Sequence, residues 1–152
     1  MDAIEIDLLD VPLLVDGELE LHILERTLAE RERNRVPAYR FELRVGGEKI
    51  GTASLRVGGG EYLELYAGHI GYGVELPYRG RRYAARACKL LFELARQHGM
   101  QTLWITCNPE NVASRRTCEL IGGELVDIVD LPEETDMYKE GERQKCRYRI
   151  RL

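Results

Sequence analysis

Arg79, Arg81 and Arg82 crowd into the segment Tyr78-Arg79-Gly80-Arg81-Arg82-Tyr83-Ala84, immediately ahead of the longest amphipathic stretch of the chain. A helix N-terminus leaves four backbone N–H groups without intrahelical partners and carries partial positive charge. Arginines at that end oppose the dipole and lower stability unless an anion sits among them. Phosphates bind at such ends, so the segment reads as a pyrophosphate-binding loop. The competing reading is that the arginines are simply solvated.

Two further sets of side chains have the types and spacing for chemistry. His69 to Leu76 alternates as a strand, with Ile70, Tyr72, Val74 and Leu76 on one face and His69, Gly71, Gly73 and Glu75 on the other. Glycine inside a strand often marks the close approach of a ligand or another backbone. His69 and Glu75 are the titratable side chains of that glycine-lined face, and Glu64 lies nearby in sequence. Histidine exchanges a proton near neutral pH. His69 is therefore the first candidate base, with Glu75 and Glu64 behind it; the alternative is a satisfied strand-end histidine, with water as the base. Asn111, Ser114 and Cys118, spaced by three and four, form one helical stripe. Ala113, Thr117, Leu120 and Ile121 are expected to meet a sheet beside it.

The elements that must position these groups can be read from periodicity. Glu18 to Glu25 alternates as a half-buried strand. Thr27 to Asn34 reads as a short surface helix ended by Pro37. Tyr39–Val45 and Lys49–Val57 read as a hairpin turning at Gly46-Gly47. Tyr83 to His98 carries the stripe Ala84, Ala87, Cys88, Leu91, Leu94 and Ala95, and Gly99 is its expected C-terminal cap. Thr102–Cys107 reads as a buried strand. Asn111 caps a second helix running to Ile121. Glu124–Leu131 and Lys145–Leu152 read as the last two strands. The middle of the chain resembles a strand–helix–strand crossover.

Composition narrows the function classes. The 152 residues carry a formal net charge of −4, with 44% hydrophobic and 32% charged residues, which suits one soluble domain over residues 1–152. Net negative charge argues against a duplex nucleic-acid partner. No apolar run approaches the roughly 20 residues of a membrane span. The first residues carry acids rather than a basic stretch before an apolar run, so no signal peptide is expected and the cytoplasm is the expected compartment. Cys88, Cys107, Cys118 and Cys146 include no Cys-x-x-Cys pair and are expected to be free and buried, with no metal. The strand before the loop is not followed by Gly-x-Gly-x-x-Gly, nor Gly80 by a Walker lysine, which disfavours a nucleotide-binding domain.

The loop and the segment after it resemble the GNAT acetyltransferase superfamily. That superfamily marks its acetyl-CoA pyrophosphate loop with Arg or Gln, two residues, Gly, one residue, then Gly or Ala. Arg79 and Ala84 match; Arg82 stands where Gly is usual. Asn111-x-x-Ser114 followed by Glu119 and Gly122-Gly123 is similar to the later motif, Asn-x-x-Ala/Ser before a helix ending in Gly-Phe. The resemblance covers about residues 40 to 131.

The resemblance implies a mixed α/β fold, with a largely antiparallel sheet of six to seven strands flanked by helices. It implies direct acetyl transfer from acetyl-CoA to an amine. Implied cofactor contacts are Gly73, Val74, Glu75, Arg79, Gly80, Arg81, Arg82, Tyr83, Ala84, Asn111 and Ser114. His69 or Glu75 would act as base. Cys118 holds the place, seven residues after Asn111, of a tyrosine that protonates the leaving thiolate. A thiol can deliver that proton or be a small filler with water as the acid. Ile70-Gly71-Tyr72 resembles the branch that acetylates protein N-termini, but the acceptor stays open among protein N-termini, lysine, polyamines, antibiotics and metabolites. Its pocket is expected near residues 25–40 and 132–145. A homodimer is a further expectation, and a non-catalytic CoA-binding or regulatory domain is the alternative.

Overall fold

The computed structural model describes residues 7–28 and 36–152. Most of the expected surface helix at Thr27–Asn34 lies outside the described residues; Thr27 itself ends a strand. The chain begins with β1 (Leu14–Asp16), β2 (Leu19–Thr27), β3 (Ala38–Val45), β4 (Glu48–Arg56) and, after a π-helical turn at Leu63–Ala67, β5 (Ile70–Val74). These pair antiparallel in sequence order. Gly46 and Gly47 make the two-residue turn between β3 and β4, with φ of +60° and +81°, the conformation that matches strand twist in a hairpin.

Helix α1 (Tyr83–Gln97), β6 (Thr102–Cys107), α2 (Val112–Leu120), β7 (Glu124–Asp130), α3 (Asp136–Lys139) and β8 (Gln144–Arg151) complete the order. β8 lies between β6 and β7 in a second antiparallel sheet. The described residues thus form eight strands rather than six or seven, because three-residue β1 is too short to leave a periodic signal. Among the described residues no helix is long and apolar enough to cross a membrane.

The two sheets meet at one junction. The N–H of His69 donates to the Trp104 carbonyl at 2.6 Å, and the Trp104 N–H donates to His69 Nδ1 at 2.9 Å. Gly68 precedes it with φ +74°; a Cβ there would lie 3.1 Å from Thr106 N and from Trp104 O. Beyond the junction β5 and β6 run side by side without pairing, each at the edge of its own sheet. The backbone groups along this gap are therefore available to a ligand.

Helix α1 covers the first sheet. Ala87, Leu91 and Ala95 are fully buried, as are Leu19, Leu21, Phe41 and Leu43 from the strands. Each such Leu or Phe contributes about 1.5–3 kcal/mol. Ala84, expected in this stripe, is only half-buried and faces the groove described below. Helix α2 is rotated from expectation. Cys118, with Ile121 just past the helix end, is buried, whereas Ala113, Thr117 and Leu120 line the groove. The two faces are adjacent and similarly small, so packing rather than pattern decides between them.

Candidate active site

β5 ends at Val74, where a 3-10 turn (Leu76–Tyr78) leads into the arginine loop and then α1. The N–H of Glu75 donates to the Ile50 carbonyl at 2.8 Å. The antiparallel ladder alternates, so Tyr72 and Val74 turn their backbone groups toward the open gap, while Gly73 and Glu75 turn theirs toward β4. The Val74 carbonyl accepts from Arg79 Nε at 2.8 Å, which folds the loop back on the strand end.

Arg82 takes φ +63° and ψ +21°, the sole non-glycine with positive φ among the described residues. The position where the resemblance leads one to expect Gly thus keeps the glycine conformation despite its side chain. A left-handed L-residue costs roughly 1–2 kcal/mol, and such strain clusters at functional sites. We expect Arg82→Gly to raise stability in urea unfolding by about 0.5–1 kcal/mol, since glycine's greater freedom in the unfolded chain offsets part of the relief. The same change should weaken acetyl-CoA binding and flatten its salt dependence. A variant that is destabilised, or that binds as before, contradicts this account.

A groove of about 570 Å³ runs between β5, the loop, α1 and α2. Arg79 and Arg82 from the loop and Arg116 from α2 line it, and among the described residues no carboxylate does, in a chain whose net charge is −4. Gly73, Gly80, Ala84, Ala113 and Ser114 keep its walls low. Arg82, the N-cap of α1, makes no side-chain capping bond, and Tyr83 and Ala84 at the first turn border the groove. Small walls, three guanidinium groups and an uncapped helix end fit the extended, pyrophosphate-bearing shape of acetyl-CoA. Arg81 and Glu75 are exposed and lie outside it. Arg116 was missed; its only sequence signal is a second basic pair, Arg115-Arg116, just after the Asn111 cap.

A second cavity of about 260 Å³ lies on the other side of the gap, between β5 and β6. Tyr72, Asn111 and Ser114 line both spaces. Tyr72 Oη is 2.7 Å from Ser114 Oγ and 4.0 Å from Cys118 Sγ. Burial raises the pKa of Tyr72 far above its ordinary value, so its hydroxyl keeps its proton. The sequence gives Tyr72 a place on an apolar strand face and in the Ile70-Gly71-Tyr72 resemblance, but no role in the site; an aromatic between two strand glycines was the available signal. Asn111 caps α2 as expected, its Oδ1 accepting from Ser114 N at 3.1 Å.

Cys118 is fully buried behind Ser114 and does not line the groove. The neighbouring Cys107 thiol pushes the pKa of Cys118 up, while Cys118 draws that of Cys107 down. All four cysteines are free and buried. His69 is buried with both ring nitrogens engaged: Nδ1 accepts from Trp104 N–H, so Nε2 carries the proton and donates to the Gly58 carbonyl at 2.9 Å. Burial lowers its pKa and keeps it neutral. Glu64 is exposed and lines neither space. Met137, Glu142 and Lys145 bring the expected segment 132–145 to the second cavity; no residue of segment 25–40 lines it among those described. Among the described residues no group of three or more His, Cys, Asp or Glu side chains is placed to hold a metal.

The strand–loop–helix groove is joined to the second cavity through a shared wall of Tyr72, Asn111 and Ser114. The acetyltransferase (GNAT) domain family matches residues 16–124, and the chain belongs to that family. Its class is that of an acetyl-CoA-dependent N-acetyltransferase. The fold is shared with RimL, the ribosomal L7/L12 α-N-protein acetyltransferase in complex with coenzyme A. That match has 14% identity and a TM-score of 0.68, over 93% of this chain and 98% of that one. The ribosomal-protein-S5-alanine acetyltransferase of Vibrio fischeri gives 13% identity and a TM-score of 0.68, over 93% and 97%. The microcin C7 self-immunity acetyltransferase MccE, solved with acetyl-CoA and AMP, gives 15% identity and a TM-score of 0.60; this chain covers 63% of it, with 80% of its own length matched. No curated protein sequence matches the chain.

Proposed function

We propose that acetyl-CoA lies in the arginine-lined groove and that a primary amine reaches it from the second cavity, so that acetyl passes directly between them. The observation that carries this reading is the meeting of a carboxylate-free, three-arginine groove with a separate cavity across Tyr72 and Ser114. Bound acetyl-CoA supplies the thioester whose acetyl group is transferred. Arg79, Arg82 and Arg116, with the first-turn amides of α1, hold its phosphates. The outward backbone of Tyr72 and Val74 orients the chain beyond them. Holding both reactants across one wall supplies much of the rate.

The residue roles shift from those expected. His69 has no free nitrogen and braces the junction of the sheets, so water in the second cavity takes the amine's proton. Tyr72, rather than Cys118, presents a hydroxyl proton at the shared wall. The two neighbours named for ribosomal proteins act on protein amines by their names, which supports an amine acceptor. The test is to incubate the protein with acetyl-CoA and a panel of primary amines, following thiol release and acetylated product by mass spectrometry. Acetylation of at least one amine is expected. Tight CoA binding without transfer to any amine would favour a non-catalytic CoA-binding domain.

A further inference from the structure

Two groups lining the second cavity stand out among the described residues: one is a buried acceptor without a hydrogen-bond partner, the other a cation without a counter-ion. The Oδ1 atom of Asn108, between β6 and α2, is buried and accepts no hydrogen bond. Buried polar atoms without partners are uncommon in folded proteins, and each calls for an occupant.

The second group is Arg56 of β4. Its guanidinium is half-buried, and Nη1 donates to the Gly68 carbonyl at 3.1 Å and to the Ala67 carbonyl at 3.5 Å. No carboxylate pairs with it among the described residues, and burial lowers its pKa. The nearest charged neighbours in the cavity satisfy each other: Lys145 Nζ donates to Glu142 Oε1 at 2.8 Å. One acceptor without a partner and one cation without a counter-ion line the same space of about 260 Å³. At about 30 Å³ per water, that space holds roughly nine waters. It admits a group the size of one amino-acid residue.

Resting on the function proposed above, we infer that the second cavity recognises an α-aminoacyl unit. An N–H of the acceptor amine donates to Asn108 Oδ1, and the carbonyl or carboxylate oxygen beside that amine accepts from Arg56. A free amino acid and the first residue of a polypeptide share this chemistry. An ε-amine or a simple alkylamine lacks the oxygen that Arg56 awaits. Asn108 and Arg56 are thus specificity-determining residues for the acceptor.

The experiment compares four acceptors with acetyl-CoA: alanine, a tetrapeptide beginning with alanine, propylamine, and an N-acetylated peptide whose only amine is a lysine side chain. Wild type should favour the α-amine acceptors over propylamine by roughly tenfold or more in kcat/KM. Arg56→Met should collapse that preference, mostly through KM for the α-amine, with KM for acetyl-CoA little changed. Asn108→Leu should raise the α-amine KM while thermal unfolding shows no loss of stability, because an unsatisfied buried carbonyl has been removed. A merely structural asparagine would lose stability instead. The relative rates with alanine and with the tetrapeptide say which source of the unit is used. If Arg56→Met does not fold, Asn108→Leu carries the test alone. Propylamine or the lysine peptide serving as well as the α-amines would overturn the inference while leaving acetyl transfer intact. CoA binding with no transfer to any amine would overturn the proposed function and this inference with it.

Discussion

Replacing Arg79 and Arg82 together with glutamate should weaken acetyl-CoA binding by about a hundredfold or more at low salt. Each arginine stands to make charge-assisted hydrogen bonds to phosphate, worth about 1.5–3 kcal/mol apiece. Two such losses give about 3–6 kcal/mol, and every 1.4 kcal/mol is about tenfold. Reversal adds repulsion to the loss. The effect on folding should have the opposite sign. Acids near a helix N-terminus are favoured by its dipole, and nothing acidic sits in the first turn of α1 at present. The double variant should therefore unfold no earlier than wild type while it loses its ligand. Arg81→Glu is the control, since Arg81 lies outside the groove; its effect should be small and screened away at about 0.15 M salt. Calorimetry on the variants decides it, and equal loss from Arg81→Glu would mean that the ligand lies elsewhere.

His69→Leu should be the most destabilising change at the sheet junction. It strips partners from the Trp104 N–H and the Gly58 carbonyl, at about 1–3 kcal/mol for each group left unsatisfied, or about 2–6 kcal/mol together. His69→Gln should recover much of this, because Oε1 can accept from Trp104 while Nε2 donates to Gly58. The pH dependence has a definite sign. Burial lowers the folded-state pKa of His69, so the unfolded chain takes up the proton first. The stability from neutral His69 is complete above about pH 6.5 and is lost as pH falls toward the lowered value, by at most about 1.4 kcal/mol per pH unit. His98, whose pKa burial also lowers, adds a loss of the same sign. Urea unfolding between pH 7.5 and 5 should show a shallower acid loss in His69→Gln than in wild type. Its acetyl transfer should keep the wild-type pH profile. Loss of the acidic limb of activity would instead restore His69 as a base.

Much of the fold was legible because its cues are local. β6 was expected at Thr102–Cys107 and is found there, since alternation and the turn at Asn108-Pro109 are written in adjacent residues. Helix α1 was expected to start at Tyr83 and does; its end differs by one residue. The Asn111 cap and the arginine loop were legible for the same reason. The short elements were not: β1, the π-helical turn at Leu63–Ala67 and α3 span too few residues for periodicity to register. On α2, side chains of similar size occupy neighbouring faces, so Cys118 turned inward and Ala113, Thr117 and Leu120 toward the groove without any local signal.

What the sequence determined by itself was a basic loop at a helix start beside a glycine-rich strand: the three are neighbours along the chain, and the expectation of an anion there follows from that adjacency. Arg82 shows how far this reaches, since the loop conformation persisted through a residue that disfavours it. Tertiary structure alone decided the rest. His69 is withdrawn from chemistry by Trp104, 35 residues away. Tyr72 is joined to Ser114 across 42 residues. The second cavity gathers Arg56, Asn108 and Glu142 from three distant segments. Whether a polar side chain is free to react depends on which backbone groups reach it first, and those contacts exist only once the two sheets have packed together.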